Sequence, residues 1–270
     1  MSQIRYTHGH HESVLKSHEW RNISNSCRYF EDYLEPGKNV IDIGCGPGTI
    51  TVDIAKRVFP GKVLGIDMSE GIVAKAKSYA LEAEVENIEF IVGDIYNLSN
   101  LSQDLGGFDI CHAHQLLQHV HDPVGALKNM AMTVKKGGIV ACRDSDYGAM
   151  TFYPHSEGLE KWRKVYSNLA RSCGGEPNAG RHILSWANEA GFSSIIPSAS
   201  IWCFATQKDR EFWGGMWAER VILSDFASQV LERNLASESE LYEMKNSWEV
   251  WKNDRDGWLV VVAGEVIVKI

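Results

Sequence analysis

From residue 40 to residue 144 the chain alternates two hydropathy patterns. Five short runs are apolar at nearly every position: VIDIG at 40–44, KVLGID at 62–67, IEFIVGD at 88–94, FDICHAH at 108–114 and GIVACRD at 138–144. Between them lie TITVDIAKRV, EGIVAKAKSYALEA and DPVGALKNMAMTV, whose apolar residues recur at helical spacing. Runs without strict alternation suit strands buried on both faces, and their spacing is that of βα repeats. The pattern predicts an α/β fold, a parallel sheet with helices on both faces. Asp42, Asp67, Asp94, His114 and Asp144 fall at or near strand ends, so they should converge on one rim, where such sheets bind ligands.

After Asp144 the rhythm changes. Residues 155–173 and 180–192 read as helices, the second ending at Gly191 as a C-cap. Residues 194–206 read as a strand with Pro197 near its start, 208–234 and 236–253 as helices rich in Trp and charge, and 258–270 as a last strand. The first 38 residues are polar and His-rich, with one expected helix from Glu19 to Leu34. The expected organisation is a helical cover segment, 1–38, and one domain, 39–270. Within that domain a helical insertion, 206–256, precedes the last strand and covers the site.

The candidate chemistry begins at the first strand. Gly44, Gly46 and Gly48 follow Val40–Ile43 at every second position, and a helical segment follows them. Strand, glycine turn and helix together set backbone amides and a positive helix end at a sheet edge. The spacing narrows the ligand. Thr49 stands where a dinucleotide fingerprint needs its third glycine, and Thr49-Ile50 replaces the Lys-Ser/Thr pair of a P-loop. What remains is D-x-G-x-G-x-G, beginning at Asp42. Asp67 lies 23 residues after Gly44, at a strand end, where a carboxylate can accept from vicinal ribose hydroxyls. A helix N-cap role is the alternative for its neighbourhood, since Ser69 and Glu70 follow.

Composition narrows the partners. The chain has 270 residues, 44% of them hydrophobic, enough for a full core. Its net charge of −8 and lack of a long Lys/Arg run argue against nucleic acid as the main partner. Six scattered cysteines without a C-x-x-C pair predict a reducing compartment and no disulfide framework. No stretch of about 18 apolar residues occurs, so no membrane partner and a cytoplasmic location are expected.

The glycine loop resembles motif I of the class I S-adenosylmethionine-dependent methyltransferases. The stretch FDICHAHQLLQHVHDPVGAL, followed by KKGG and a strand, is similar to the ubiquinone/menaquinone-biosynthesis-type branch, a group of small-molecule methyltransferases. The resemblance covers residues 38–145 firmly and GRHILSWANEAGF more loosely. It implies a Rossmann-like, mostly parallel seven-stranded sheet with an antiparallel last strand. It implies S-adenosyl-L-methionine as cofactor, held by Asp42, Gly44, Cys45, Gly46, Asp67, Met68, Asp94, Ile95, Ala113, His114 and Gln115. Asp94 and Ile95 would meet the adenine; Ala113, His114 and Gln115 would lie near the methionine part.

His114 is the candidate general base, for acceptors that must lose a proton. The cluster His112, His114, His119 and His121 completes no recognisable zinc motif, so no metal is expected. Tyr6, His11, Trp202, Trp213 and Trp217 are candidates for an aromatic-walled acceptor pocket, or for packing alone. The expected partner is a small-molecule methyl acceptor, with a homodimer as a permitted assembly. The alternatives are an RNA or protein methyltransferase and a non-catalytic S-adenosylmethionine-binding regulator.

Overall fold

A computed structural model of the chain describes residues 20–98 and 107–270. Its strands are β1 (Val40–Ile43), β2 (Val63–Asp67), β3 (Ile88–Val92), β4 (Phe108–His114), β5 (Val134–Tyr153), β6 (Ile195–Phe204) and β7 (Trp258–Lys269). They form one seven-stranded sheet in the order β3-β2-β1-β4-β5-β7-β6. The pairs β1–β2, β1–β4, β2–β3 and β4–β5 are parallel, and the last strands are antiparallel. The chain winds outward from β1 to β3 and then returns to β4 on the other side of β1. The carboxyl ends of β1 and β4 therefore flank the switch point, the crevice where open α/β sheets take ligands.

The described residues divide into two compact units. The first comprises 20–98, 107–144, 179–200 and 263–270. In it, successive residues of β1 face opposite sides. Ile41 and Ile43 join Leu64, Ile66, Cys111 and Ala113 against α3 (Pro123–Met132) and α5 (Ala179–Glu189). Val40 joins Val63, Ile110 and Ile139 against α1 (Thr49–Val58) and the segment 23–34. Beyond β2, α2 (Glu70–Glu82) packs on Phe90 through Val73, Ala76 and Ala80. Asp42 and His112 are cross-strand partners in the β1–β4 pairing.

The second unit comprises 145–178 and 201–262. Its core is aromatic. Trp162 of α4 (Glu157–Ser172) meets Trp217 of α6 (Gln207–Leu223) at 4.4 Å between ring centroids and Trp248 of α8 (Glu238–Asn253) at 4.8 Å, both edge-to-face. Tyr147 and Tyr166 pack at 4.1 Å beside them. Edge-to-face pairs set the positive ring edge against the negative face, so the cluster gains beyond burial alone.

Three expected elements differ. The helix expected over Glu19–Leu34 is a π-helical turn, Ile23–Cys27, followed by a 3-10 turn, Arg28–Tyr33. Asn22 caps the first turn reciprocally with Asn25, and the Ser24 and Ser26 hydroxyls bond neighbouring Asn side chains. Such local bonds compete with a regular helix ladder. The fifth strand does not stop at Asp144 but runs 20 residues, to Tyr153. Its apolar stretch was only the segment buried in the first unit. The helix expected over 208–234 breaks at Ser224, whose hydroxyl donates to the Arg220 carbonyl and accepts from Phe226 N, ending α6 and capping α7 (Asp225–Glu232). Gly191 has φ +91°, as a C-terminal cap requires.

Candidate active site

The glycine loop owes its shape to backbone that only glycine adopts readily. Gly44, Gly46 and Gly48 have φ of +70°, +55° and +87°. Gly44 N and Cys45 N both donate to the Ile66 carbonyl, at 2.7 and 2.9 Å, which pins the loop over the end of β2. A Cβ on Gly44 would lie 3.0 Å from Leu116 Cδ1, a tight contact that the Leu116 side chain would have to yield to. Gly48 caps α1, and a Cβ there would lie 2.9 Å from Phe90.

Asp67 ends β2 half-buried. Its Oδ2 accepts from Gly46 N at 3.2 Å and its Oδ1 from Ser69 N at 3.0 Å. The carboxylate thus closes on the glycine loop itself, and Ser69, not Asp67, caps α2. Met68 beside it is 70% exposed, an apolar side chain presented to solvent at the strand end. Asp94 caps a 3-10 turn by accepting from Tyr96 N, while Ile95 packs into the core.

On the other side of the switch point, Gln115 has φ +53°, a strained conformation for a residue with a Cβ. It is held by Gln115 N to the Arg143 carbonyl at 2.7 Å, and by Arg21 Nη2, which donates to Gln115 Oε1 at 3.0 Å. Asp144 is fully buried and accepts from Leu117 N and Gln118 N at 3.2 and 3.1 Å. Burial pushes its carboxyl up to about 7 against those bonds and the pull of Arg143 and Arg21.

The candidate residues divide by what they present. Gly44, Gly46, Asp67, Met68, Asp94 and Gln115 border the strand ends. Asp42, Cys45, Ile95, Ala113 and His114 are buried. Asp42 spends its carboxylate on the protein: Thr51 Oγ1 donates to Oδ2 at 2.6 Å, and His112 Nδ1 bonds Oδ1 at 2.7 Å. It fixes α1 and β4 relative to β1. Trp202, Trp213 and Trp217 are all buried in the second unit, where Trp213 stacks on Phe204 at 4.2 Å. Tyr6 and His11 lie outside the described residues. Sequence reasoning missed Arg21, which orients Gln115, and Cys27, whose thiol lies 3.5 Å from His112 Nε2. Neither carries a motif, because each is brought in by the 20–34 segment from far along the chain.

Residues 34–211 match a family model described as a methyltransferase domain. An uncharacterized methyltransferase of Schizosaccharomyces pombe is 32% identical over 280 aligned residues, covering 99% of this chain and 97% of that protein. A ubiquinone biosynthesis O-methyltransferase of Coxiella burnetii is 38% identical over 112 residues, covering 41% of this chain and 45% of that one. In structure the chain resembles an S-adenosylmethionine-dependent methyltransferase from Geobacter sulfurreducens, solved with S-adenosylhomocysteine. The TM-score is 0.51 at 17% identity, over 96% of this chain and 98% of that one. At that identity the likeness speaks to the fold.

Proposed function

The chain belongs to the methyltransferase-domain family as a class I S-adenosylmethionine-dependent enzyme, and from that premise we propose that it methylates a small-molecule acceptor by direct in-line displacement. The observation that carries the reading is the cradle at the switch point: three positive-φ glycines, closed by the Asp67 carboxylate on Gly46 N. A cradle whose glycines adopt positive φ, and with a carboxylate at its lip, fits a ligand that joins ribose hydroxyls to a compact polar end.

The cofactor, when bound, supplies a methyl group already activated as a sulfonium. The chain's residues have less to do. Asp67 would accept from the two ribose hydroxyls, exchanging its bond to Gly46 N for them. Asp94 and Met68 would border the adenine. Gln115, held by Arg21, would fix the β4 end of the site. Alignment and exclusion of water then account for most of the acceleration. The small-molecule class is supported by the −8 net charge and by the absence of a basic run that could follow a phosphate backbone.

The test is calorimetric titration with S-adenosylhomocysteine, followed by transfer of a labelled methyl group to cell extract. Binding together with label in the extractable small-molecule fraction is expected. No binding overturns the cofactor reading. Label in protein or RNA overturns the acceptor class.

A further inference from the structure

Three buried side chains meet on the face of the sheet packed by the segment 23–34. Cys27 Sγ, His112 Nε2 and a ring nitrogen of His114 all lie within 4.8 Å of one another, and the Cys27–His112 separation is 3.5 Å. Cys27 and His112 are fully buried and His114 nearly so. We propose that these three residues bind one zinc ion, with Asp42 as the partner that orients His112.

The geometry supports a metal in several ways. Bonds of about 2.0–2.1 Å to imidazole and 2.3 Å to thiolate, at tetrahedral angles, place ligand atoms roughly 3.3–3.6 Å apart. The Cys27–His112 pair already stands at that separation; drawing in His114 closes the rest. His112 Nδ1 bonds Asp42 Oδ1 at 2.7 Å, which turns Nε2 toward Cys27. A carboxylate behind a ligating imidazole is the common outer support of zinc sites. Phe30 stacks on the His112 ring at 4.8 Å and fixes its plane.

Charge also balances. The thiolate and Asp42 together supply the two negative charges that a divalent ion needs in a buried setting. On binding, the thiol proton passes to solvent and the sulfur keeps its electron pair for the metal. Thiolate and imidazole together suit zinc rather than calcium or magnesium, which take oxygen ligands. The ion would tie the 20–34 segment to β4, and three protein ligands leave a fourth position open. A metal on His114 takes up the lone pair that a general base would use, so the two roles exclude each other.

The zinc site rests on no part of the methyl-transfer reading, and its test needs no cofactor. The purified protein is stripped with a chelator, loaded with zinc, desalted and assayed by elemental analysis. One zinc per chain is expected to survive. Cobalt in place of zinc should give a thiolate charge-transfer band. Cys27→Ser should abolish that band, whereas Cys203→Ser, at an exposed thiol, should keep it. Asp42→Asn should weaken zinc binding by about 10–100-fold. Wild-type protein that retains no zinc overturns the proposal whatever the variants do. So does a cobalt band lost with Cys203→Ser and kept with Cys27→Ser.

Discussion

The two compact units build their interiors from different side chains. In the first, the buried carboxylates are bonded: Asp42 serves Thr51 and His112, Asp144 serves two backbone amides, and Glu265 pairs with Arg143 at 3.3 Å. In the second, Trp162, Trp213 and Trp248 bury their indole N–H groups with no hydrogen-bond partner among the described residues. The first arrangement fixes positions, because each bond specifies a partner and a direction. The second gains mainly by removing large aromatic area from water, and tolerates orphaned donors at a cost of about 1–3 kcal/mol each. A site that must hold one ligand in one geometry belongs with the first kind of packing.

The comparison can be broken most directly at Trp162. Trp162→Ala removes a fully buried ring touching Trp217 and Trp248. It is expected to cost about 3–5 kcal/mol of stability, as large-to-small core changes do. Urea unfolding followed by circular dichroism measures it. A loss under about 1 kcal/mol would mean that the aromatic cluster does not carry the second unit.

At the rim of the first unit the loss should be in binding. Asp67→Ala deletes the carboxylate that closes on Gly46 N. Affinity for S-adenosylhomocysteine should fall by about 1.5–3 kcal/mol, the scale of hydrogen bonds to a charged group. Unchanged affinity in calorimetry would remove Asp67 from the ribose role.

These two positions also show what was legible in the chain. The place of Asp67 at the end of β2, beside the glycine loop, could be found from spacing alone, because strand, glycine turn and carboxylate follow one local order. β1, β2, β4 and the first part of β5 were legible for a similar reason, since burial on both faces leaves continuous apolar runs; β3 carries such a run too, yet lies at the sheet edge and buries only Phe90. Cys27 could not be found that way: it reaches His112 across 85 positions, and only the sheet order and the irregular 23–33 turns bring them together. The outer half of β5 was hidden too. GAMTFY at 148–153 buries only Met150 and carries no run of the inner-strand kind. The tryptophans were visible, but a stripe of aromatics has the same spacing whether it packs on itself or faces a ligand.

Asp144 offers a subtler contrast through pH. Its folded-state carboxyl is pushed up to about 7, well above the ordinary carboxylate value. Its contribution to stability is therefore fully present below about pH 4 and is lost as pH rises through 7, because over that window the folded chain holds a proton that the unfolded chain has released. The slope for one proton is about 1.4 kcal/mol per pH unit at most. Asp144→Asn cannot titrate, so the difference in stability between variant and wild type should drift in the variant's favour from pH 4 to 7. Urea unfolding at several pH values measures the drift, and a constant difference would place the Asp144 proton elsewhere.

The smallest effect tests whether the two regions are energetically separate. Ser237 caps α8 in a reciprocal box: its hydroxyl accepts from Glu240 N at 3.3 Å, and Glu240 accepts from Ser237 N at 2.8 Å. Ser237→Ala should cost about 1 kcal/mol of stability, the usual value of such a cap. The cap lies in the second unit and the Asp67 rim in the first, so affinity for S-adenosylhomocysteine should stay within error of wild type. If that affinity falls along with the unfolding midpoint, order in the aromatic unit is a condition of order at the glycine loop. The hydrogen-bonded rim would then owe part of its geometry to the packing of a mainly aromatic core.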